Sequence, residues 1–151
     1  MKKAFTVLEL AIVLILIGIL IGIVIRGATS TASAKIDATI ECYRINLTSC
    51  ESYFQLYRVL PGDLDKDGRI EVDSALIILK NANFDVKLQN PYGGYFKLIW
   101  VSGIPGLQDG NYLYSFQIPI SIDSLIDARI DDGNLATGKY RRIGYISYLK
   151  L

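Results

Sequence analysis

The sequence predicts an α+β protein: a long N-terminal α-helix, with a membrane half and an amphipathic half, packed on a small antiparallel β-sheet head. Three observations carry this expectation. Residues 4–25, AFTVLELAIVLILIGILIGIVI, hold 18 hydrophobic side chains in 22. Ile36, Ile40, Tyr43, Leu47, Cys50, Phe54 and Tyr57 then recur at alternating steps of four and three, the spacing of one buried helical stripe. Beyond Pro61 the pattern changes to short aromatic and β-branched segments separated by Gly, Asn and Asp turns, the mark of strands.

As a helix the apolar run is about 33 Å long, enough to cross a bilayer core. Although 51% of the 151 residues are hydrophobic, only 58 of the 126 from Arg26 onward are, an ordinary share for a globular body. The excess therefore sits in a membrane segment. Lys2 and Lys3 keep the N-terminus cytoplasmic by the positive-inside rule, which places the body outside the inner membrane. Ala32-Ser33-Ala34 has the form of a signal-peptidase site, but the apolar run exceeds the roughly 7–15 residues of a signal peptide's core. A plain anchor leaves Glu9 unexplained. A carboxylate at mid-membrane costs on the order of 2.5–3.5 kcal/mol, somewhat less near the end of a span, and usually has a partner.

Lys2-Lys3-Ala4-Phe5-Thr6-Val7-Leu8-Glu9-Leu10, followed by an unbroken aliphatic helix, closely resembles the N-terminus of type IV pilins and of type II secretion pseudopilins. The resemblance implies cleavage between Ala4 and Phe5 by a prepilin peptidase and N-methylation of Phe5. It also implies that Glu9 neutralises the new terminal amine of a neighbouring subunit during assembly. Ala4 stands where the family usually has Gly, and the chain lacks a proline before Pro61, where many pilins carry one. Gly18 and Gly22 form a GxxxG step suited to close helix packing, or are ordinary membrane-helix glycines. The partition implied is a leader at 1–4, a transmembrane and filament-core helix at 5–26, its amphipathic continuation at 27–58 and a globular head at 59–151. The expected partners are the prepilin peptidase, the inner membrane and like subunits. The expected function is that of a minor pilin or pseudopilin in a type IV pilus or type II secretion filament. The alternative is an exported or membrane-anchored calcium-binding module that does not polymerise.

On the amphipathic half, Lys35, Asp37, Glu41, Arg44, Asn46, Ser49, Glu51 and Gln55 are expected on the solvated or subunit-facing side. Residues 5–58 as one helix would span about 80 Å. Cys42 and Cys50 are then about 12 Å apart along the axis and about 80° around it. That is beyond the roughly 4.4–6.8 Å between Cα atoms that a disulfide needs. Either the thiols stay free and Cys50 packs as a small hydrophobe, or the helix breaks at residues 46–49.

Leu60-Pro61-Gly62-Asp63 ends the long helix with turn chemistry. The stretch that follows resembles an EF-hand calcium loop. Asp63, Asp65 and Asp67 alternate so that their carboxylates can converge where Gly68 turns the backbone, and the Arg69 carbonyl could add a ligand. Ser74 occupies the twelfth position, normally a bidentate acid, and Glu71 and Asp73 are the nearest substitutes. A solvated Asp/Gly turn is the competing reading. Next come a short helix from Ser74, capped by Asp73 or Ser74, and a strand over 95–101 after Asn90-Pro91-Tyr92-Gly93-Gly94. A strand over 111–118, a helix over 123–130 closed by Asp131-Asp132-Gly133-Asn134, and an edge strand over 140–149 complete the head. The NPYGG turn, and the IDDG stretch with Thr137, Gly138 and Arg141, resemble the heads of pilin-like proteins.

Several chemistries are excluded or disfavoured. Without histidine there is no Ser-His-Asp or Cys-His machinery and no His-ligated zinc, and two cysteines cannot make a four-thiolate site. Sixteen basic against 15 acidic residues create no bulk field for nucleic acid. Lys139-Tyr140-Arg141-Arg142 with Tyr145 and Tyr148 mixes cations and aromatics, but a basic strand end is the commoner explanation. Asp131 and Asp132, adjacent at a turn, are expected to point apart into solvent rather than work as acid and base. No enzymatic activity is expected.

Overall fold

A computed structural model describes residues 6–151, apart from the side chains of residues 25–30. The chain divides into two compact units, the first ending at Ala34 and the second comprising Lys35–Leu151. Helix α1 (Val7–Tyr57) contributes to both.

In the first unit α1 carries Val7–Val24, a window of mean hydropathy 3.1 that is long and apolar enough to cross a membrane or to serve as a signal sequence. Every side chain in that window is exposed.

In the second unit α1 buries Ile36, Thr39, Tyr43, Asn46, Ser49 and Cys50. The apolar stripe thus holds at Ile36, Tyr43 and Cys50 but drifts off the core at Phe54 and Tyr57, which are 43% and 51% exposed. Asn46 and Ser49, expected on the solvated side, are buried because they have partners 36–41 residues away. The Asn46 side-chain amide donates to the Lys87 carbonyl at 2.9 Å and its Oδ1 accepts from the Lys87 N–H at 2.9 Å, while the Ser49 hydroxyl donates to the Asp85 carbonyl. Thr39 satisfies its own hydroxyl on the Lys35 carbonyl at 2.8 Å. The helix runs unbroken through residues 46–49, and both Cys42 and Cys50 are free.

The head continues with α2 (Ala75–Asn81), β1 (Phe96–Val101), β2 (Gly110–Phe116), α3 (Ile120–Ile130), β3 (Tyr140–Ile143) and β4 (Ile146–Lys150). The strands form one antiparallel sheet in the order β1-β2-β4-β3. Two expectations need correction. Helix α3 begins at Ile120, directly after Pro119, whose extended backbone launches it. Residues 140–149 are a hairpin rather than one edge strand: Ile143 pairs with Ile146, which leaves Gly144 and Tyr145 as the turn. Gly144 has φ +60°, the first central position of a II′ hairpin turn, which glycine fills without strain. The hairpin folds β4 inward, so β4 pairs with β2 on one side and β3 on the other.

The core lies between the second-unit part of α1, the sheet, α2 and α3, and is built from Tyr43, Ile70, Leu76, Leu79, Leu98, Leu113, Ile126, Tyr140 and Leu149. The Tyr43 ring meets Phe96 and Tyr140 edge-on, with centroids 4.9 and 5.6 Å away. Val101, Tyr112 and Tyr148 form a smaller cluster with Ile99 and Tyr114.

Burial pushes the Cys50 thiol up to about 12 and also raises that of Cys42, which is only half-buried. Alkylation should count two thiols in denaturant with or without reductant, and in the folded chain Cys50 should react roughly a hundredfold more slowly than Cys42. Asn46→Ala strands the Lys87 amide and carbonyl, and should lower the stability of the detergent-solubilised chain by about 1–3 kcal/mol in urea denaturation.

Candidate functional site

Three places bear on function. At the N-terminus, Ala4 and Phe5, the expected processing residues, lie outside the described residues. Glu9, the expected assembly residue, has a partner within its own chain. Its Oε2 accepts from the Thr6 N–H at 2.8 Å and the Thr6 hydroxyl at 2.9 Å, and its own N–H donates to the Thr6 Oγ at 3.2 Å. This is a capping box closing the first turn of α1, with the carboxylate at the positive end of the helix dipole. The T-x-x-E signature was available in the sequence. Farther along, a Cβ placed on Gly18 or Gly22 would meet nothing within 4 Å, so the GxxxG step has no partner among the described residues.

The second place is the loop after α1. Carboxylate oxygens of Asp63, Asp65 and Asp67 lie within 4.8 Å of one another, as the alternation predicts. The loop's own backbone already uses them. Asp63 accepts from the N–H groups of Lys66 at 2.7 Å and Gly68 at 3.0 Å. Asp65 accepts from the Asp67 N–H at 3.2 Å, and Asp67 from the Arg69 N–H at 2.8 Å. The Arg69 guanidinium sits 3.3 Å from Asp67 and 5.0 Å from the Trp100 ring centroid, and so delivers a cation to the loop. Asp73 turns away to pair with Lys97 at 2.8 Å, and Glu71 is exposed, its N–H held by the Gly62 carbonyl at 3.1 Å. Of the five carboxylates assigned to calcium, three converge. Asn111, which no sequence signal marked, pins the loop to the sheet: its amide donates to the Gly68 carbonyl at 2.8 Å and its oxygen accepts from the Ile70 N–H at 2.9 Å.

The third place is the C-terminal end of α3. Asp131 and Asp132 do not point apart: a carboxylate oxygen of each lies within 4.8 Å of one from Asp127, while Asp132 stays exposed to solvent as expected. Asp131 is half-buried and accepts from the Lys139 and Tyr140 N–H groups, the latter at 2.8 Å. Asp132 accepts from the Asn134 N–H at 2.8 Å and the Thr137 hydroxyl at 2.7 Å. Asp127 is fully buried and neither of its oxygens has a hydrogen-bond partner of normal geometry, although the Gly133 N–H faces it closely enough to act on it. Burial, then the Asp132 and Asp131 charges, push its carboxyl up to about 6, against a weaker opposing pull from the Gly133 N–H. Asp127 was not singled out by sequence, although its i,i+4 spacing to Asp131 put both on one helix face.

A turn earlier on α3, Asp123 is equally buried and fully satisfied. It accepts from the Tyr140 hydroxyl at 2.5 Å, the Ser147 hydroxyl at 2.7 Å and the Arg142 guanidinium. Arg142 also donates to the Ile118 carbonyl at 2.8 Å, and Arg141 to the Gly106 carbonyl at 2.6 Å. Both arginines of the basic run are thereby engaged inside the head. An apolar groove of about 620 Å³ runs beside α1, lined by Ile40, Leu47, Phe54, Leu60, Ile130 and Leu149.

No family model matches this chain, and no curated protein or solved structure matches it.

Asp123→Ala leaves the Arg142 charge buried without its counter-ion and should cost about 3–5 kcal/mol, read as a fall in the urea midpoint; Asp123→Asn, which keeps an acceptor, should cost less.

Proposed function

We propose that this chain is a structural subunit, a minor pilin or pseudopilin, of a filament of the type IV pilus or type II secretion kind. In this reading a prepilin peptidase cuts before Phe5, and the N-terminal helix first anchors the subunit in the inner membrane with the head outside the cytoplasm. It later becomes part of the filament core. The observation that carries the reading is the apolar window Val7–Val24, fully exposed while the second unit closes its own core. Such a surface needs lipid or other helices around it, at about 25 cal/mol per Å² of apolar area removed from water. Exchange of lipid for like helices is then a route from anchor to filament. Inside that bundle the Glu9 carboxylate neutralises a neighbour's terminal amine, and Thr6 holds the carboxylate ready at the start of α1. A four-stranded antiparallel sheet packed with the second-unit part of α1 is compatible with a pilin-like head.

The Thr6–Glu9 contacts also favour a second reading, an anchored module that never polymerises, because they account for Glu9 without a neighbour. N-terminal sequencing of the mature protein separates the two. An N-methylated Phe5 supports the filament subunit, a start at Lys35 means signal-peptidase cleavage, and retention of Met1 means a plain anchor. Glu9→Gln keeps the capping box but removes the charge. Membrane insertion should persist while filament yield falls roughly tenfold or more, a loss above about 1.4 kcal/mol. Undiminished filaments from this variant would rule out the charge pairing.

A further inference from the structure

We propose that Asp127, Asp131 and Asp132 form a binding site for a divalent cation of the calcium class at the C-terminal end of α3. Two independent observations meet there. Three carboxylates bring ligand oxygens within 4.8 Å of one another, a spacing that an ion can bridge with bonds of about 2.3–2.6 Å. Separately, Asp127 is a fully buried carboxylate with no hydrogen bond of normal geometry to either oxygen and only a weak pull from the Gly133 N–H, and one of its oxygens shares that cluster. Buried polar atoms are normally partnered, and a buried carboxylate with none lacks the interaction that would offset its desolvation.

Beyond the weak pull of the Gly133 N–H, the surroundings do not supply that interaction. Arg129 pairs with Asp37, and Arg142 is held by Asp123. Arg141, which eases the charge of Asp132, spends its guanidinium on the Gly138 and Gly106 carbonyls. The last turn of α3 adds its own negative dipole end, where cations rather than carboxylates are stabilised. Asp131 Oδ2 takes both amides from residues 139 and 140, and Oδ1 takes no hydrogen bond. Gly138, at φ +73°, makes this approach feasible: a Cβ there would lie 2.0 Å from Asp131 Oδ2. The donor set is all hard oxygen, and a loop rather than a rigid cage supplies part of it, which suits calcium better than magnesium with its near-ideal octahedron.

The loop at Asp63, Asp65 and Asp67 is the contrasting case. There every carboxylate already accepts a backbone N–H and Arg69 brings a positive charge. An ion at Asp127 would instead clip the segment leading into β3 onto the end of α3.

The test is thermal melting of the full chain in detergent, stripped with EDTA and then given millimolar calcium chloride, for the wild type, Asp127→Asn and Asp65→Asn. Calcium should raise the melting midpoint of the wild type and of Asp65→Asn by several degrees. It should not move that of Asp127→Asn, whose ion-free midpoint should be no lower than that of the ion-free wild type. No shift in the wild type at 10 mM calcium, about ten times a weak extracellular dissociation constant, overturns the proposal. So does a shift that survives Asp127→Asn or disappears in Asp65→Asn. If Asp127→Asn fails to fold, Asp132→Asn, at an exposed position, should weaken calcium binding roughly tenfold or more, and unchanged affinity overturns the proposal.

Discussion

Asp123 accepts hydrogen bonds from Tyr140, Ser147 and Arg142 where α3, β3 and β4 meet, and much of the head follows from keeping that buried carboxylate satisfied. Tyr140 must place its hydroxyl on Asp123, which sets the ring where Tyr43 of α1 meets it edge-on. Ser147 and Arg142 sit opposite one another in the β3–β4 register, so a one-residue slip would move both off the carboxylate. The same requirement removes Arg142 from the surface. A basic run that looks available in sequence is therefore largely committed to holding the head together.

The two acidic loops show how little composition says about satisfaction. Both gather three aspartates within the same spacing. Around Asp63 the backbone folds back to present its N–H groups, and Gly62 and Gly68 both adopt positive φ in doing so. At the end of α3 the regular helix gives Asp127 no such set of amides, only the weak pull of the Gly133 N–H beyond it, because mid-helix N–H groups are already spent on carbonyls four residues earlier. One loop is internally compensated; the other compensates Asp131 and Asp132 but leaves the buried Asp127 without donors of normal geometry.

Local patterns made much of the fold legible. Ile36, Tyr43 and Cys50 showed the buried line of α1, and the aromatic and β-branched runs showed β1 and β2. Asn46 and Ser49 were not legible as core, since their burial depends on distant partners, and residues 85–87 are too remote to signal that. The β3–β4 hairpin escaped because strands of four and five residues barely display alternation, leaving Gly144 as its lone cue. At the sites, the convergence of Asp63, Asp65 and Asp67 followed from their alternation. The isolation of Asp127 depended on burial, which no spacing rule reports. The Thr6–Glu9 contact was legible, since its capping signature lies within three residues of sequence.

The inward fold of the last hairpin also has a kinetic side. Since β4 lies between β2 and β3, the interior edge of β2 stays open until residues 146–150 can be inserted. A chain emerging in order, from a ribosome or across a membrane, holds that edge unpaired through the appearance of α3 and β3. Closure then comes as one late event that joins strands some 35 residues apart, a non-local step of the kind that slows folding. For any chain crowded beside its own copies, the interval before that closure is when one chain's strand could take the place of another's.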